Sequence, residues 1–554
     1  RAPRRARPPE APLSTLLTNA RVVDGTGTPA FDGFVLIDGE TIAAVGPAQE
    51  PLPPADRVID VGGRVVSPGF VDMHSHNDFL LPDQGFDGLI DAFLEQGVTS
   101  VVAGNCGLSA APCVDATRHR LERMAAIAID GELDWSWRTM GEYLDRLETA
   151  KPGVNVAQLV GHGAARYVAD DRGRGALDDG RLSTAVAAAA QALDEGACGL
   201  SFGLGYEPGM YSTNEELVAF SKAAASRGKP ITSHLKAYSW LSPIYPLTYL
   251  KPHNLRAIDE MIDVAKQADA RLQISHFIFV GRNTWRTAET ALGKIDAARR
   301  EGADVMIDAF PYTCGNTTIN VTLPPWFLSM GPAAYRSRAA RLRLRAETEI
   351  GYKLVGFDWT DFQVMEIGNP EWAGLDGLTI AEIGRRWKMA PFEALLHISE
   401  RTDGGAMVLI HGYSGDRAGH GPIADVLAHE ACLYETDALV RSDGWPNPAA
   451  RGTFPKILAD QVRARGVLTL EEAIRRMTSA SLERFGITDR GRVMKGLAAD
   501  LVVFDADTIE DTPPGPRRPA GRPKGIAHVF VNGAEVVTAG ARTGEARTGR
   551  VLRT

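Results

Sequence analysis

Residues 68–76 run Pro68-Gly69-Phe70-Val71-Asp72-Met73-His74-Ser75-His76 and decide the fold of the chain. The apolar residues of this stretch predict a buried strand that ends in two histidines. Alternate residues of a strand point to the same side, so His74 and His76 can bind one metal ion together. Imidazole is a common neutral metal ligand, and two at this spacing form half of a zinc site. The alternative is a pair of surface histidines, and the residues farther along the chain argue against it.

The middle of the chain alternates short apolar runs with amphipathic, helix-like stretches such as 182–195 and 288–301. We predict eight strands, at residues 65–74, 99–104, 155–161, 199–204, 230–234, 272–276, 304–310 and 438–443. Eight strands that alternate with helices predict an α/β fold, a parallel (β/α)8 barrel of the TIM type. A ninth apolar run lies at 406–410. It either belongs to an insertion or replaces one of the eight predicted strands.

Both ends of the chain carry hairpin signals, Asp38-Gly39 near the start and Asn532-Gly533 near the end. We therefore predict a small β-sandwich domain that combines residues 15–66 with residues 488–548. Residues 67–487 then form the barrel, with an insertion around 313–405 after the seventh strand. Residues 1–14 are basic and proline-rich, which predicts a disordered tail or the remainder of a processed leader.

The composition of the 554 residues is that of a globular protein, with 44% hydrophobic and 23% charged residues. A net charge of −9 argues against nucleic acid or an anionic membrane surface as a partner. The sequence has no run of about 18 apolar residues, so we predict no membrane span. Five sparse cysteines make a disulfide framework improbable and favour a cytoplasmic location. The oligomeric state is left open.

Five of the predicted strands end in, or run directly into, a group that binds metals or transfers protons. In a parallel barrel such residues meet at the carboxyl ends of the strands. The candidates are His74, His76, Cys106, His234, His276 and Asp443. Each has a structural interpretation when taken alone, since a free cysteine is usually a small buried apolar residue. Together at one end of a barrel, they predict a metal site.

The motifs around these residues resemble those of the metal-dependent amidohydrolase superfamily, and within it the N-acyl-D-amino-acid deacylase (D-aminoacylase) branch. The superfamily resemblance lies in residues 68–76 and in the closing motif at 491–504. The branch resemblance lies in Val101-Val102-Ala103-Gly104-Asn105-Cys106-Gly107-Leu108-Ser109-Ala110-Ala111-Pro112. Most members of the superfamily bridge two metals with a carboxylated lysine, whereas this branch uses a cysteine, and Cys106 stands in that motif. The likeness extends over about residues 15–540.

The resemblance implies a role for each candidate. His74, His76 and Asp443 are expected at one metal position, and His234 and His276 at the other. Cys106, as a thiolate, contributes to the second position or bridges both. Zinc suits this set of nitrogen, sulfur and oxygen ligands. Whether one or two ions bind stays open, because in this branch one position is tight and the other weak.

The expected reaction is hydrolysis of a linear amide in a small-molecule substrate by metal-activated water. Asp443 is expected to take a proton from the water as general base and to deliver one to the leaving nitrogen as general acid. One alternative is hydrolysis of a cyclic amide, as in dihydroorotases and hydantoinases, against which Cys106 argues. Another is a metal-binding barrel without catalysis, against which the six retained site residues argue.

The resemblance also implies side chains that hold the substrate. Tyr206 and Tyr312 match hydroxyl groups of the branch, and Lys236 fits the basic position after the fifth-strand histidine. His162, at the end of the third predicted strand, is a further candidate that has an equally good structural interpretation.

Two basic positions of the branch are changed in this sequence. Ile278 stands where the branch has a lysine, and Ala449 where it has an arginine, with Arg451 nearby as a candidate. Loss of one lysine from a carboxylate site costs about 1.5–3 kcal/mol. We therefore expect an amine half that is not a simple D-amino acid carboxylate. Apolar residues near Ile278 either form a pocket for it or pack the barrel against its helices; they are Phe277, Phe279, Trp240 and Trp285.

Overall fold

The computed structural model describes residues 14–82, 87–125, 133–246, 251–439, 445–515, 519–544 and 547–554, without the side chains of 87–89, 325 and 373. Two predictions fall outside these residues. They are the disordered tail, except for its last residue, and the position of Asp443.

The described residues form strands and helices along the whole length of the chain. The strands are β1 (Thr15–Val22), β2 (Phe31–Asp38), β3 (Thr41–Pro47), β4 (Arg57–Asp60), β5 (Val65–Pro68), β6 (Phe70–Asp72), β7 (Val98–Ala103), β8 (Asn155–Gly161), β9 (Gly199–Gly203), β10 (Ile231–His234), β11 (Leu272–Ile274), β12 (Val305–Ala309), β13 (Cys314–Thr318), β14 (Phe362–Glu366), β15 (Met407–His411), β16 (Cys432–Tyr434), β17 (Leu501–Phe504), β18 (Glu510–Thr512), β19 (Gly521–Lys524), β20 (Ile526–Val531), β21 (Ala534–Thr538) and β22 (Ala541–Arg542). The helices are α1 (Asp87–Leu94), α2 (Arg118–Ala125), α3 (Met140–Ala150), α4 (His162–Ala169), α5 (Asp179–Asp194), α6 (Asn214–Ala225), α7 (His253–Ala268), α8 (Ala288–Arg300), α9 (Pro325–Ser329), α10 (Pro332–Arg336), α11 (Arg338–Val355), α12 (Ile380–Trp387), α13 (Pro391–Arg401), α14 (Ile423–Ala428), α15 (Ala449–Ile457), α16 (Leu470–Arg476) and α17 (Ser479–Arg484).

Eight parallel strands form the barrel, in the order β6-β7-β8-β9-β10-β11-β12-β16. The ring closes where the backbone N–H of His76 donates to the carbonyl of Ala438 over 3.2 Å. The side chains of β7 and β8 are buried throughout, as expected of a parallel sheet that is covered on both faces. The prediction of a (β/α)8 barrel is thus confirmed.

The eighth strand does not lie where the sequence predicted it. It is β16, and Ala438, the first residue of the predicted run, makes only an isolated bridge to Ser75. With three residues, Cys432-Leu433-Tyr434, β16 is too short to give an alternating pattern. The last residues of the predicted run, 440–443, lie outside the described residues.

The predicted strand at 406–410 corresponds to β15 and belongs to an inserted segment between β12 and β16. There it forms an antiparallel sheet in the order β13-β15-β14. This sheet and helices α9 to α13 enclose an apolar core of their own, with Leu344, Phe362 and Leu395 among its buried residues. The first of the two alternatives for the ninth strand, an insertion, is correct.

Strands from both ends of the chain join in one sheet of nine strands, in the order β22-β21-β20-β17-β5-β1-β2-β3, with β4 beside β1. The link between the two ends is the antiparallel pair of β5 and β17, in which Val66 lies opposite Val503. The small β-domain built from both termini is therefore present. Among the described residues, no helix is long and apolar enough to cross a membrane.

Candidate metal centre

The candidate ligands meet at the carboxyl ends of the barrel strands. Cys106 follows β7 in a turn where its own φ is +54° and that of Gly107 is +70°. A Cβ atom on Gly107 would lie 2.6 Å from the backbone nitrogen of Gly203, so the turn has no room for a side chain there. This backbone path, rare outside glycine, places the buried Cys106 thiol among the histidines.

Cys106, His234 and His276 form one compact set of donors. The Cys106 Sγ lies 3.6 Å from Nδ1 of His234 and 3.3 Å from Nε2 of His276, and these two nitrogens are 2.9 Å apart. In a tetrahedral zinc site, two nitrogen ligands are about 3.4 Å apart, and a nitrogen and a sulfur about 3.6 Å apart. The three donors therefore fit around one ion.

His74, His76 and Asp437 form a second set beside the first. Oδ1 of Asp437 lies 3.6 Å from Nε2 of His74 and 3.4 Å from Nε2 of His76. The Nε2 atom of His74 is also 3.2 Å from the Cys106 Sγ. The thiol thus lies between the two sets, as expected of a ligand that bridges two positions.

The electrostatics of the cluster favour a thiolate. Burial alone would raise the pKa of the Cys106 thiol, but the charges of His74 and His276 and a hydrogen bond with His234 hold that pKa well below its usual value. Burial likewise opposes the charge of Asp437, yet its hydrogen bond with His76 and the charges of His276 and His74 keep the pKa of this carboxyl below normal. A thiolate and a carboxylate are the forms that bind cations.

Buried polar groups on neighbouring strands surround the histidines. Asp308 accepts hydrogen bonds from the backbone N–H of His276 over 2.6 Å and from the side chain of Gln273 over 2.9 Å. Its Oδ1 lies 3.6 Å from Nδ1 of His74. Glu435 is fully buried beside them, and burial raises the pKa of its carboxyl well above the usual value. Such groups fix the orientation of histidine ligands.

Two tyrosines frame the His234 ring. Tyr206 donates its hydroxyl to the carbonyl of Cys106 over 2.6 Å, and its ring centre lies 5.0 Å from that of His234. Tyr238 lies 4.9 Å from the rings of both His234 and His276. Its hydroxyl accepts from Leu235 N and donates to the Ser275 carbonyl, which locks the ring in place.

Five of the six predicted ligands therefore lie in one cluster: His74, His76, Cys106, His234 and His276. Asp443 lies outside the described residues, and its role stays a prediction. Asp437 was missed by the sequence analysis. It lies in the loop after β16 with a φ of +47°, and an acidic residue in a loop carries no signal of its own.

The predicted substrate-binding residues have varied surroundings. Tyr206 lies at the cluster, whereas the Tyr312 hydroxyl donates to Oδ2 of Asp511 over 2.7 Å. Nζ of Lys236 lies 3.5 Å from Oε2 of Glu260, with only 13% of its side chain exposed. The half-buried Arg451 lies in α15, next to Gly452, where a Cβ atom would meet the Tyr312 hydroxyl.

Ile278 and Ala449 belong to one small, buried apolar cluster at the mouth of the barrel. Its other members are Phe310, Tyr312 and Cys314, with Tyr238, Val280 and Tyr413 packed against it. Phe277 and Phe279 instead lie in the main core of the barrel, Trp285 donates to the Gly412 carbonyl, and Trp240 stacks under Arg286. The apolar surface near the metal cluster is thus formed mainly by other residues than the four expected aromatic ones.

His162 is buried beside Glu216, with 2.8 Å between Nε2 and the carboxylate, and Arg166 lies on the same carboxylate. Its ring packs on Phe202 and Phe220. These contacts favour the structural interpretation, and a role in substrate binding stays an untested prediction.

This fold and cluster place the chain among metal-dependent hydrolases, and comparison with known proteins agrees. The amidohydrolase family model matches residues 57–238. An N-acyl-D-glutamate deacylase from Alcaligenes xylosoxydans xylosoxydans is 32% identical over 543 residues, which cover 98% of this chain and 96% of the relative. The chain therefore belongs to the amidohydrolase family. Within that family it belongs to the D-aminoacylase branch.

Solved structures agree as well. The N-acyl-D-glutamate deacylase of Bordetella bronchiseptica, in complex with zinc and a phosphonate that mimics the tetrahedral intermediate, is 28% identical, with a TM-score of 0.78 over 98% of this chain and 100% of the other. A D-aminoacylase with a binuclear metal centre, activated by one metal and attenuated by the second, is also similar. Its TM-score is 0.78 at 28% identity, with the same coverage of both chains.

Proposed function

We propose that this protein is a zinc-dependent hydrolase of linear amides in N-acyl amino acids or related conjugates. The observation that carries the proposal is the convergence of one cysteine and four histidines at the carboxyl ends of the barrel strands. Asp443 is proposed as the proton carrier, because a carboxylate can take a proton from water and later give one to the leaving nitrogen.

The donor set supports zinc. A thiolate and imidazoles are ligands that select zinc over magnesium or calcium. His234, His276 and Cys106 would hold the tight ion. His74 and His76, with Asp443 and with Asp437 beside the two histidines, would hold a second and more weakly bound ion.

When bound, zinc supplies a Lewis acid that polarises an amide carbonyl and lowers the pKa of water toward about 7. The chain supplies the rest of the chemistry. Tyr206 and Tyr238 pack against the His234 ring and hold its orientation. Asp308 keeps the His276 backbone in place by accepting a hydrogen bond from its N–H. These groups hold the ligands in a fixed geometry before substrate arrives.

We infer further that the amine half of the substrate is apolar or aromatic rather than a simple D-amino acid carboxylate. Ile278 and Ala449, at the two positions where the resemblance places basic residues, lie in the same apolar cluster. Tyr238 packs against that cluster and against both histidine rings. Lys236, the basic residue nearest in sequence to His234, is paired with Glu260.

The test of the reaction combines zinc analysis with the Asp443→Asn variant. We expect bound zinc in both proteins and a loss of kcat of at least about 100-fold in the variant, because the proton carrier is removed. Asp425→Asn, an exposed carboxyl on α14, is the control and should leave kcat unchanged. Retained activity of Asp443→Asn would remove this residue from the reaction.

The test of the substrate is a panel of N-acetyl-D-amino acids, N-acetyl-L-amino acids and N-acetyl aryl amides. We expect the highest kcat/KM on amides with an apolar amine half. Ile278→Lys should lower that value and raise the value for N-acetyl-D-glutamate, whereas Ile278→Val should change neither. High turnover confined to the D-amino acids would contradict the inference and leave the proposal of an amide hydrolase intact.

A cytoplasmic location stays a prediction, to be checked by cell fractionation.

A further inference from the structure

Helix α11 has two faces with opposite surroundings. Ala340, Leu344 and Thr348 are buried on the side that faces the core of the inserted segment. Leu342, Ala346 and Ile350 lie on the opposite side, four residues apart, and Leu354 continues the row. Leu342 is 62%, Ile350 59% and Leu354 53% exposed within the part of the chain that the structure describes. An apolar row of this length on a surface helix is unusual for a monomer.

We propose that this outer face, Leu342, Ala346, Ile350 and Leu354, binds the same face of a second copy of the chain. Rows of residues four apart are the ridges by which helices pack against each other. In an antiparallel pair with its twofold axis at Ala346, Leu342 of one copy lies against Ile350 of the other. The small side chain of Ala346 at the crossing point lets the two helices approach closely.

The charges beside the row select the antiparallel arrangement. Arg343 pairs with Glu347 on one side of the row, and Arg345 with Glu349 on the other, over 2.7 and 2.9 Å. Antiparallel packing brings Arg343 of one copy next to Glu347 of the second, and Arg345 next to Glu349. These four unlike-charge neighbours outnumber the two like-charge neighbours that meet at the axis, Arg345 with Arg345 and Glu347 with Glu347. In a parallel pair the like-charge neighbours would be the more numerous, because Arg343 would lie next to Arg345 of the other copy and Glu347 next to its Glu349. The face is therefore complementary to itself, as a twofold interface requires.

The neighbouring helix α9 enlarges the surface. Trp326 donates its indole N–H to Glu347 over 2.7 Å and lies under the Arg343 guanidinium. Met330 and Leu328 next to it are 45% and 37% exposed. A contact built on one helix and its neighbour is smaller than a standard interface, so the association should be weak and dependent on concentration.

Sedimentation analysis of the full chain tests the proposal. Between about 1 and 200 µM, a range that covers weak association, the mass of the wild type should rise from 59.6 kDa toward twice that value. The double variant Leu342→Glu/Ile350→Glu should stay monomeric, with an unchanged melting temperature. Val467→Glu, at an apolar residue that is 52% exposed on another part of the surface, is the matched control and should behave as the wild type.

Three further variants test the geometry. Ala346→Cys should form a disulfide-linked dimer under mild oxidation, and the background is low because all five native cysteines are buried. Arg345→Glu should weaken the dimer, and Arg345→Glu/Glu349→Arg should restore it. A wild type that stays monomeric at every concentration overturns the proposal. So does a Leu342→Glu/Ile350→Glu variant that dimerises as the wild type does.

Discussion

At the scale of single residues, the thiol of Cys106 joins the two halves of the metal centre. It lies within 3.6 Å of a nitrogen of His74, His234 and His276, each at or just beyond the carboxyl end of a different strand. A single residue with this many donor neighbours is the one whose loss should affect both metal positions. The turn that carries it depends on the positive φ of Gly107.

Loss of a residue that hydrogen-bonds to a metal ligand weakens metal binding by about 10–100-fold. We predict that Cys106→Ser, which changes a ligand itself, weakens zinc binding by more than this. A hydroxyl is not deprotonated near neutral pH, so it cannot supply the charge of the thiolate. Zinc content after dialysis measures the effect. A chelator should lower the melting temperature of the wild type, because an ion that binds only the folded state stabilises it.

The same chelator should leave the melting temperature of Cys106→Ser nearly unchanged. Cys113→Ser, at a buried cysteine that belongs to none of the groups of possible metal ligands, is the control and should keep its zinc. A Cys106→Ser protein that retains full zinc content would show that the histidines suffice.

The residue scale also shows what sequence alone can predict. His74 and His76 are two apart at the end of an apolar run, and His234 and His276 end similar runs, so strand periodicity reveals all four. Asp437 has no such pattern. The hydrogen bond between Tyr312 and Asp511 joins residues 199 positions apart, and no local sequence pattern predicts it.

At the scale of elements, β15 ends in a half-buried histidine that we expect to make the inserted segment sensitive to acid. His411 ends the strand, and its Nε2 lies 2.8 Å from Oε1 of Gln363 on β14. Burial and the nearby Arg417 lower the pKa of His411 to about 3. An unfolded histidine has a pKa of about 6.5.

We predict that this histidine lowers stability as the pH falls. Between pH 6.5 and 3 the unfolded chain takes up a proton that the folded chain refuses, so the unfolding free energy decreases by about 2 kcal/mol between pH 7.5 and pH 5. His411→Gln should remove this part of the pH dependence. Urea unfolding of both proteins at the two pH values measures the difference.

His420→Gln is the control, because the side chain of His420 is 80% exposed. Equal pH dependence of wild type and His411→Gln would mean that His411 accepts a proton in the folded protein.

Elements also set the limit of the fold prediction. Long, wholly buried strands such as β7 and β8 were found within a residue or two, since parallel strands are continuous apolar runs. β16 has only three residues and was placed too late in the chain. The apolar run of β15 is as strong as that of a barrel strand, because it is the central strand of its own sheet. Pattern alone cannot say which of the two sheets such a strand joins.

At the scale of the whole molecule, one buried carboxylate ties the barrel to the β-domain. Oδ2 of Asp500 accepts from Asn155, at the start of β8, over 2.9 Å and from Arg490 over 2.6 Å. Its Oδ1 accepts from the backbone N–H of Asn532 in the terminal hairpin over 2.7 Å. The backbone carbonyl of Asp500 accepts from Gly69, directly before the first barrel strand.

We predict that Asp500→Ala lowers the unfolding free energy by about 3–5 kcal/mol, because it leaves the buried Arg490 guanidinium without its main partner. Asp489→Ala is the matched control. Asp489 also contacts Arg490, at 3.2 Å, but its carboxylate is 68% exposed, so its loss should cost less than about 1 kcal/mol. Zinc content should be unchanged in both variants, because Asn155 begins its strand and the metal ligands follow the opposite ends of the strands. Equal stability of the two variants in urea unfolding would show that the contact of Asp500 with Arg490 does not stabilise this junction.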